Sequence, residues 1–233
     1  MNFIPINDFL KIENSPILHN VIIDKLPDLS ESAALSVIAA RPFWGKFCLA
    51  LQLALNYALL EKKKIYLFSF KESVSETYAR ILRILLGNSF SLPDCQCLIE
   101  PDEIPIYICN EQFDIDEIDN IIRENIKDGM IFIDRVEMIK SHSIRRTFSK
   151  LKAAAQRYKL PIIITASLPR PPAPRDKPLL SDLKCNALAD NVLFLHHEPF
   201  FKAGTGLSHD ETYNHLIIAK ANKQNPGILY LYD

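Results

Sequence analysis

The sequence is poor in glycine and has no excess of charge of either sign. It contains 6 glycines in 233 residues, so a glycine missing from any one loop motif is a weak argument against that motif. Lys and Arg total 27 and Asp and Glu total 28, giving a formal net charge of −1. This balance excludes a global basic field that would draw the protein to nucleic acid. Nucleic-acid binding would then depend on a local basic patch or on assembly into a ring.

Membrane-targeting and metal-site patterns are lacking as well. No N-terminal signal pattern and no long uncharged apolar run occurs, which predicts a cytoplasmic protein without membrane contact. Of the 5 cysteines only Cys95 and Cys97 are close together, and no Cys/His pair stands at zinc spacing. The histidines, including His196 and His215, have no placed carboxylates and are predicted to be ordinary surface residues. The sequence therefore predicts no metal site of this kind.

Apolar runs of strand length alternate with helical apolar stripes through the middle of the chain. This alternation predicts one large α/β domain with a mostly parallel sheet and helices on both faces. Three later strand-like runs, 191–195, 213–219 and 227–232, follow one another without helices and predict an antiparallel extension. Residues 1–30 show no clean periodicity, and we expect them to form an N-terminal arm on a domain spanning 31–233.

The most informative segment joins a strand-like run at 36–39 to a long apolar helical run that begins at Lys46. Gly45 and Lys46 stand at the junction, which is the strand–loop–helix context of a phosphate-binding P-loop. The motif is Gly-x-x-x-x-Gly-Lys-[Ser/Thr], and here Ala40 replaces the first glycine while Phe47 replaces the hydroxyl residue. Backbone N–H groups and the lysine can still hold phosphates. The alternative is a surface lysine on a loop that has lost its ligand.

The sequence supports Mg²⁺ binding at this predicted site less well than phosphate binding. The Ser/Thr hydroxyl of a P-loop normally ligates Mg²⁺, whereas the Phe47 ring cannot and is large enough to intrude where the metal would sit. Asp134 closes the apolar run 130–133 and is placed to hold the water shell of a metal ion. Because one ligand is lost, we expect metal binding to be weakened.

Several segments occur in the order and approximate spacing of one known family. They are Ala39-Ala40-Arg41-Pro42 with Gly45-Lys46, Phe68-Ser69-Phe70, Phe132-Ile133-Asp134, Ser167-Leu168-Pro169-Arg170, Leu180-Ser181-Asp182-Leu183-Lys184, Ile217-Ile218-Ala219-Lys220 and Pro226-Gly227. Together they resemble the C-terminal motor domain of bacterial replicative DNA helicases of the DnaB type. That family has an Ala-Arg-Pro-x-x-Gly-Lys-Thr loop and itself tolerates Ala at the first position of the P-loop.

The resemblance implies a RecA-like P-loop NTPase fold and a role in DNA replication. It also implies ATP as the ligand. The residues that match the family's nucleotide contacts are Arg41, Pro42, Gly45, Lys46 and Asp134.

The resemblance further implies contacts with single-stranded DNA and with replication proteins. Lys184 falls where the family has a backbone-contacting Arg, and Arg175 and Lys177 lie in the preceding loop. Phosphate contacts need only positive charge and reach; the alternative is a solvated proline-rich loop. The implied partners are a replicative helicase, other replication proteins and further copies of the chain in an oligomer.

Three positions that carry ATP hydrolysis in the family differ in this sequence. Lys71 stands where the family has its water-activating Glu, and a lysine protonated at neutral pH is a poor base. Asn222 stands where the family has an arginine finger, given in trans across a ring interface, whose loss costs about a thousandfold in rate in related enzymes. Together with Phe47, these changes indicate a pseudo-ATPase that binds helicase, DNA or another replication factor.

The competing hypothesis is a divergent but active ATP-dependent helicase. Its catalytic substitutes would be Glu72 and either Lys220 or Lys223, although a lysine point charge does not reproduce a bidentate guanidinium. A RecA-like regulator outside replication is a third hypothesis. Phe43 and Trp44 are unusual in a phosphate loop, and they either fill the nucleotide pocket or form a contact surface.

Overall fold

The computed structural model describes residues 4–5, 26–86, 104–169, 177–197, 214–223 and 225–231. Its strands are β1 Ile4–Pro5, β2 Leu35–Ala40, β3 Ile65–Ser69, β4 Ile106–Cys109, β5 Met130–Asp134, β6 Ile162–Ser167, β7 Asn191–His197, β8 Asn214–Lys220 and β9 Gly227–Leu231. Its α-helices are α1 Lys46–Leu59, α2 Val74–Leu86, α3 Ile115–Asn125 and α4 Ile144–Tyr158, and its short 3₁₀ turns are Val136–Met138, Leu180–Asp182 and Asn186–Leu188.

The strands of the described segments form one sheet in the order β1-β4-β3-β5-β6-β2-β7-β8-β9. From β4 across to β7, every neighbouring pair is parallel. The pairs β7–β8 and β8–β9 are antiparallel, as is the short β1 against β4. The predicted mostly parallel sheet with an antiparallel extension is therefore confirmed.

Helices cover both faces of the sheet, as the alternation predicted. On one face α1 and α2 pack in a core that includes Ile38, and on the other α3 and α4 pack in a core that includes Val37 and Ala39. Successive side chains of a strand point to opposite faces, so β2 contributes to both cores. All of its residues are buried, which is typical of a central parallel strand.

Local side-chain signals fix where α2 and α3 begin. A capping box begins α2, since Glu76 N–H donates to Ser73 Oγ at 3.2 Å and Ser73 N–H donates to Glu76 Oε2 at 2.8 Å. Asp114 and Glu117 form the same reciprocal arrangement at α3. None of the helices in the described segments has the length and apolar content needed to span a bilayer.

The carboxyl ends of the parallel strands meet at one edge of the sheet, where open α/β sheets bind ligands. Ala40 at the end of β2 pairs with Ser167 of β6, and Ser69 at the end of β3 pairs with Asp134 of β5. The loops that leave β2, β3 and β5 therefore converge there. Before β2, Leu29 is fully buried in the α1/α2 core.

Candidate functional site

The loop that leaves β2 reaches α1 through a residue with positive φ. Gly45 is the N-cap of α1 with φ +79°, a conformation that favours glycine, and it provides no side-chain cap. The first turn of α1 contains no acidic side chain either. The N-terminal N–H groups of the helix and the positive end of its dipole are therefore available to an anion.

A cavity of about 510 Å³ lies in front of this helix N-terminus. Its size falls in the range of small-molecule sites. Its walls include the predicted residues Pro42, Gly45, Lys46, Glu72 and Asp134, and also Phe47 and Lys71. The structure thus brings most of the predicted nucleotide contacts together around one space, at the edge of the sheet that the topology favours.

Lys46 is a buried cation in the wall of this cavity. The residue is 6% exposed, and among the described residues no hydrogen bond or ion pair engages its ammonium group. Burial lowers the pKa of Lys46 and the nearby Arg135 lowers it further, while the negative charge of Asp134 acts in the opposite direction. A buried charge without a partner is unfavourable, so the site is improved by an anion that enters the cavity.

The wall also contains Asp134, which is 3% exposed and accepts a hydrogen bond from the Thr165 hydroxyl. Burial raises the pKa of Asp134, although Thr165 and Lys46 both favour its ionised form. Thr165 lies on β6, next to β5 in the sheet, and no motif in the sequence singled it out. It holds the Asp134 carboxylate from the strand that lies between β5 and β2.

The residues of the cavity do not fit Mg²⁺ well. Phe47 occupies the position of the P-loop hydroxyl, and its ring packs into the α1/α2 core while also forming part of the cavity wall. No cluster of three or more His, Cys, Asp or Glu side chains suited to a metal occurs in the described segments. Asp134 is the remaining motif residue that could reach a metal's water shell, and its carboxylate is already held by Thr165.

Glu72 lies in the cavity but is engaged by Arg80. Nε of Arg80 donates to Oε2 of Glu72 at 2.6 Å, and the Glu72 side chain is 12% exposed. Arg80, on α2, also contacts Cys48 Sγ at 3.7 Å and forms part of the wall. Sequence reasoning missed Arg80 and also Arg135, although the position of Arg135 directly after Asp134 was a usable signal.

The predicted finger substitutes lie away from the cavity. Lys220 pairs with Val192 near the start of β7, at the sheet edge opposite the P-loop, and its ammonium group contacts the carbonyl oxygens of Asn186 at 3.4 Å and of Ala189. Asn222 N–H donates to Asn191 Oδ1 at 3.2 Å, and Lys223 pairs with Glu31 at 2.9 Å. The structure therefore brings Glu72 to the cavity and does not bring Lys220 there.

Comparison with known proteins agrees with this fold. No protein-family model matches the chain. A probable plasmid replicative DNA helicase of Chlamydia psittaci is 30% identical over 205 residues, covering 74% of this chain and 44% of that protein. A protein of the same description from Chlamydia muridarum is 28% identical over 191 residues, covering 70% of this chain and 42% of that protein. A solved DnaB-like replicative helicase aligns with a TM-score of 0.71 at 21% identity, over 86% of this chain and 55% of that one.

This chain is a homologue of the DnaB-type replicative DNA helicases. It spans less than half the length of the two chlamydial relatives. Its similarity in structure confirms the predicted RecA-like fold class.

In this chain, the positions of Arg41 and Trp44 in the loop after β2 differ from the sequence prediction. Arg41 is 5% exposed and lies over the Trp44 ring at 5.2 Å, and neither residue forms part of the cavity wall, although Arg41 was expected to contact nucleotide. Trp44 packs on His196 with ring centroids 5.3 Å apart, and so it does not fill the pocket. Phe43 is 93% exposed at the rim, as a contact surface requires.

The prediction that His196 and His215 lie on the surface is wrong. His196 is 0% exposed and His215 is 3% exposed. They are opposite one another on β7 and β8, with ring centroids 5.7 Å apart, and Trp44 covers His196. Cross-strand pairing and the inward turn of Trp44 bury these rings, and neither feature can be read from the local sequence.

The residues of this chain that were predicted to bind DNA are not part of the wall of the Lys46 cavity. Lys184 is exposed beside a second cavity of about 410 Å³, whose wall also includes Glu137, Ser167 and Leu183. Lys177 lies just before the same segment and is partly exposed, and Arg175 lies outside the described residues. Their contact with DNA stays a prediction.

Proposed function

We propose that this chain is a helicase-like protein of DNA replication whose RecA-like domain binds ATP at the Lys46 cavity without hydrolysing it efficiently. One observation carries the proposal: a single cavity combines Gly45 and Lys46 of the P-loop motif with Phe47 and Lys71. The first pair retains what phosphate binding needs. The second pair replaces the metal ligand and the water-activating carboxylate that the resemblance implies.

The proposed role is binding a partner in replication. Candidate partners are a replicative helicase, another replication protein or single-stranded DNA, with Arg175, Lys177 and Lys184 as the DNA contacts. Support comes from the chlamydial proteins described as probable plasmid replicative helicases, and from the DnaB-like helicase whose structure was described with its interactions with primase. Residues 1–30 would act as an arm on the domain of 31–233, and assembly with further copies of the chain belongs to the same proposal.

The second candidate is a divergent active helicase, and the position of Glu72 in the cavity favours it. Steady-state ATP hydrolysis with single-stranded DNA and Mg²⁺ separates the two candidates, with Lys46→Ala as the negative control. The pseudo-ATPase predicts a turnover at or below that of the control. A wild-type turnover above about 1 s⁻¹, the low end of typical enzymes, that is abolished by Lys46→Ala would establish the active helicase instead.

A further inference from the structure

Positive side chains outnumber acidic ones in the wall of the Lys46 cavity. The wall contains four cationic and two acidic side chains, an excess of two positive charges. The cations are Lys46, Lys71, Arg80 and Arg135, and the acids are Glu72 and Asp134. In a polyphosphate site a bound divalent metal normally supplies such an excess.

The cations approach the cavity from different parts of the fold. Lys46 begins α1, Lys71 follows β3, Arg80 lies on α2 and Arg135 follows β5. The positive charges of Arg135 and Lys71 both lower the pKa of Lys46. Arg80 is partly neutralised by Glu72, whereas Lys71 and Arg135 form no ion pair with another described residue. These groups repel one another until an anion enters the cavity.

We propose that the cavity binds a nucleoside triphosphate in its metal-free form, with Lys71 and Arg135 in the charge-neutralising role of the metal. The inference rests on the proposed phosphate site at Lys46 and adds the ionic form of its ligand. A divalent metal cancels two negative charges of a triphosphate, and the excess of positive side chains in the wall does the same. The independent sign of a ligand is Lys46 itself, a buried cation that lacks a protein partner in the described segments.

The test compares the ionic forms directly. A fluorescent ATP analogue is titrated into the purified full chain in EDTA or in excess MgCl₂ at equal ionic strength, with unlabelled ATP as competitor. We expect the Kd in EDTA to equal the Kd in MgCl₂ or to be lower. A Kd at least tenfold lower in MgCl₂ overturns this inference and leaves the phosphate site standing. Absence of binding in both buffers overturns the phosphate site as well.

Variants locate the effect within the cavity. Lys71→Ala and Arg135→Ala should each raise the Kd in EDTA about tenfold, because each removes a charged hydrogen-bond donor to phosphate. Lys140→Ala, which removes an exposed lysine outside the cavity, should leave the Kd unchanged. Thermal melts of all three variants establish that they are folded. An unchanged Kd for folded Lys71→Ala and Arg135→Ala overturns the proposal.

Cys48 gives a readout that is independent of the fluorescent label. It is partly exposed and forms part of the cavity wall. Saturating ATP in EDTA should slow alkylation of Cys48 at least threefold, measured by peptide mass spectrometry, while Cys185 outside the cavity reacts at an unchanged rate. Equal Cys48 alkylation with and without ATP overturns the placement of the ligand.

Discussion

Nε of Arg80 donates a hydrogen bond of 2.6 Å to the carboxylate of Glu72 inside the cavity that contains Lys46. In the described segments, Glu72 and Asp134 are the acidic residues of the cavity wall. One of them is held by a guanidinium and the other by the Thr165 hydroxyl. Each carboxylate therefore already accepts a hydrogen bond from a protein side chain, and this arrangement supports the proposed pseudo-ATPase.

Glu72→Gln should strengthen binding of metal-free ATP about fivefold. The change removes a negative charge from the cavity and releases Arg80 toward the phosphates. Titration in EDTA measures it, and Glu111→Gln, at an exposed position outside the cavity, is the control. A tenfold loss of ATP turnover in the Glu72→Gln variant, with unchanged stability, would instead identify Glu72 as the base of an active helicase.

Lys46→Met should abolish ATP binding and also stabilise the fold by about 1 kcal/mol near neutral pH, because it removes a buried ammonium group that has no hydrogen bond or ion pair to a described residue. The pKa of Lys46 is below its ordinary value of 10.5 in the folded state, so the folded state binds fewer protons than the unfolded state as pH approaches that value. Wild-type stability should therefore rise with pH in this window relative to the variant, and the advantage of the variant should shrink. Urea denaturation of both proteins from pH 7 to pH 10 measures the difference.

Asp134→Asn and Asp134→Ala should have different effects on stability. Asn retains an oxygen that accepts from Thr165, whereas Ala leaves that buried hydroxyl without its partner and should cost about 2 kcal/mol. Burial raises the folded-state pKa of Asp134, so its contribution is present at low pH and is lost as pH rises through that pKa. Wild type should lose stability relative to Asp134→Asn from pH 4 upward, as measured by denaturant titration. A constant difference across this range would contradict the raised pKa.

Phe47→Thr should make ATP binding depend on Mg²⁺. The hydroxyl supplies the missing ligand, while loss of the ring from the core should cost about 3 kcal/mol of stability. Phe47→Val is the matched control, since it leaves a similar space without a hydroxyl. We expect ATP to bind more tightly in MgCl₂ than in EDTA for the Thr variant and not for the Val variant. The same response in both variants would contradict a role for the hydroxyl.

Lys220→Ala should destabilise the fold by about 1 kcal/mol without changing ATP affinity, because its ammonium group holds carbonyl oxygens of the turn at 186–189. Lys223→Ala, which removes an exposed ion pair with Glu31, should have a smaller effect. Chemical denaturation and ATP titration provide the two measurements. A loss of ATP turnover in Lys220→Ala without loss of stability would support its role as a substitute finger.

Much of the fold could be predicted because its signals are local. The buried run of β2, the Ser73–Glu76 capping box and Asp134 at the end of β5 depend on residues that are near in sequence. The antiparallel extension followed from strands without intervening helices. These elements, together with the order of the family's motifs, were sufficient to define the fold class and the edge of the sheet that carries the cavity.

The sequence could not predict contacts that depend on which strands and helices become neighbours. The burial of His196 depends on its partner His215 across β7 and β8 and on the inward position of Trp44. The hydrogen bond from Thr165 to Asp134 depends on the pairing of β5 with β6. Arg80 was missed for a local reason, because its distance from Glu72 is set by the geometry of the turn into α2.

The position of Trp44 has a practical consequence. It is the single tryptophan of the chain, and it packs between Arg41 of the same loop and His196 of β7. The tryptophan fluorescence of the unlabelled protein therefore comes from Trp44, in the loop beside the cavity. Any shift of that loop against β7 changes the surroundings of the indole ring, so the molecule carries its own optical probe at the site.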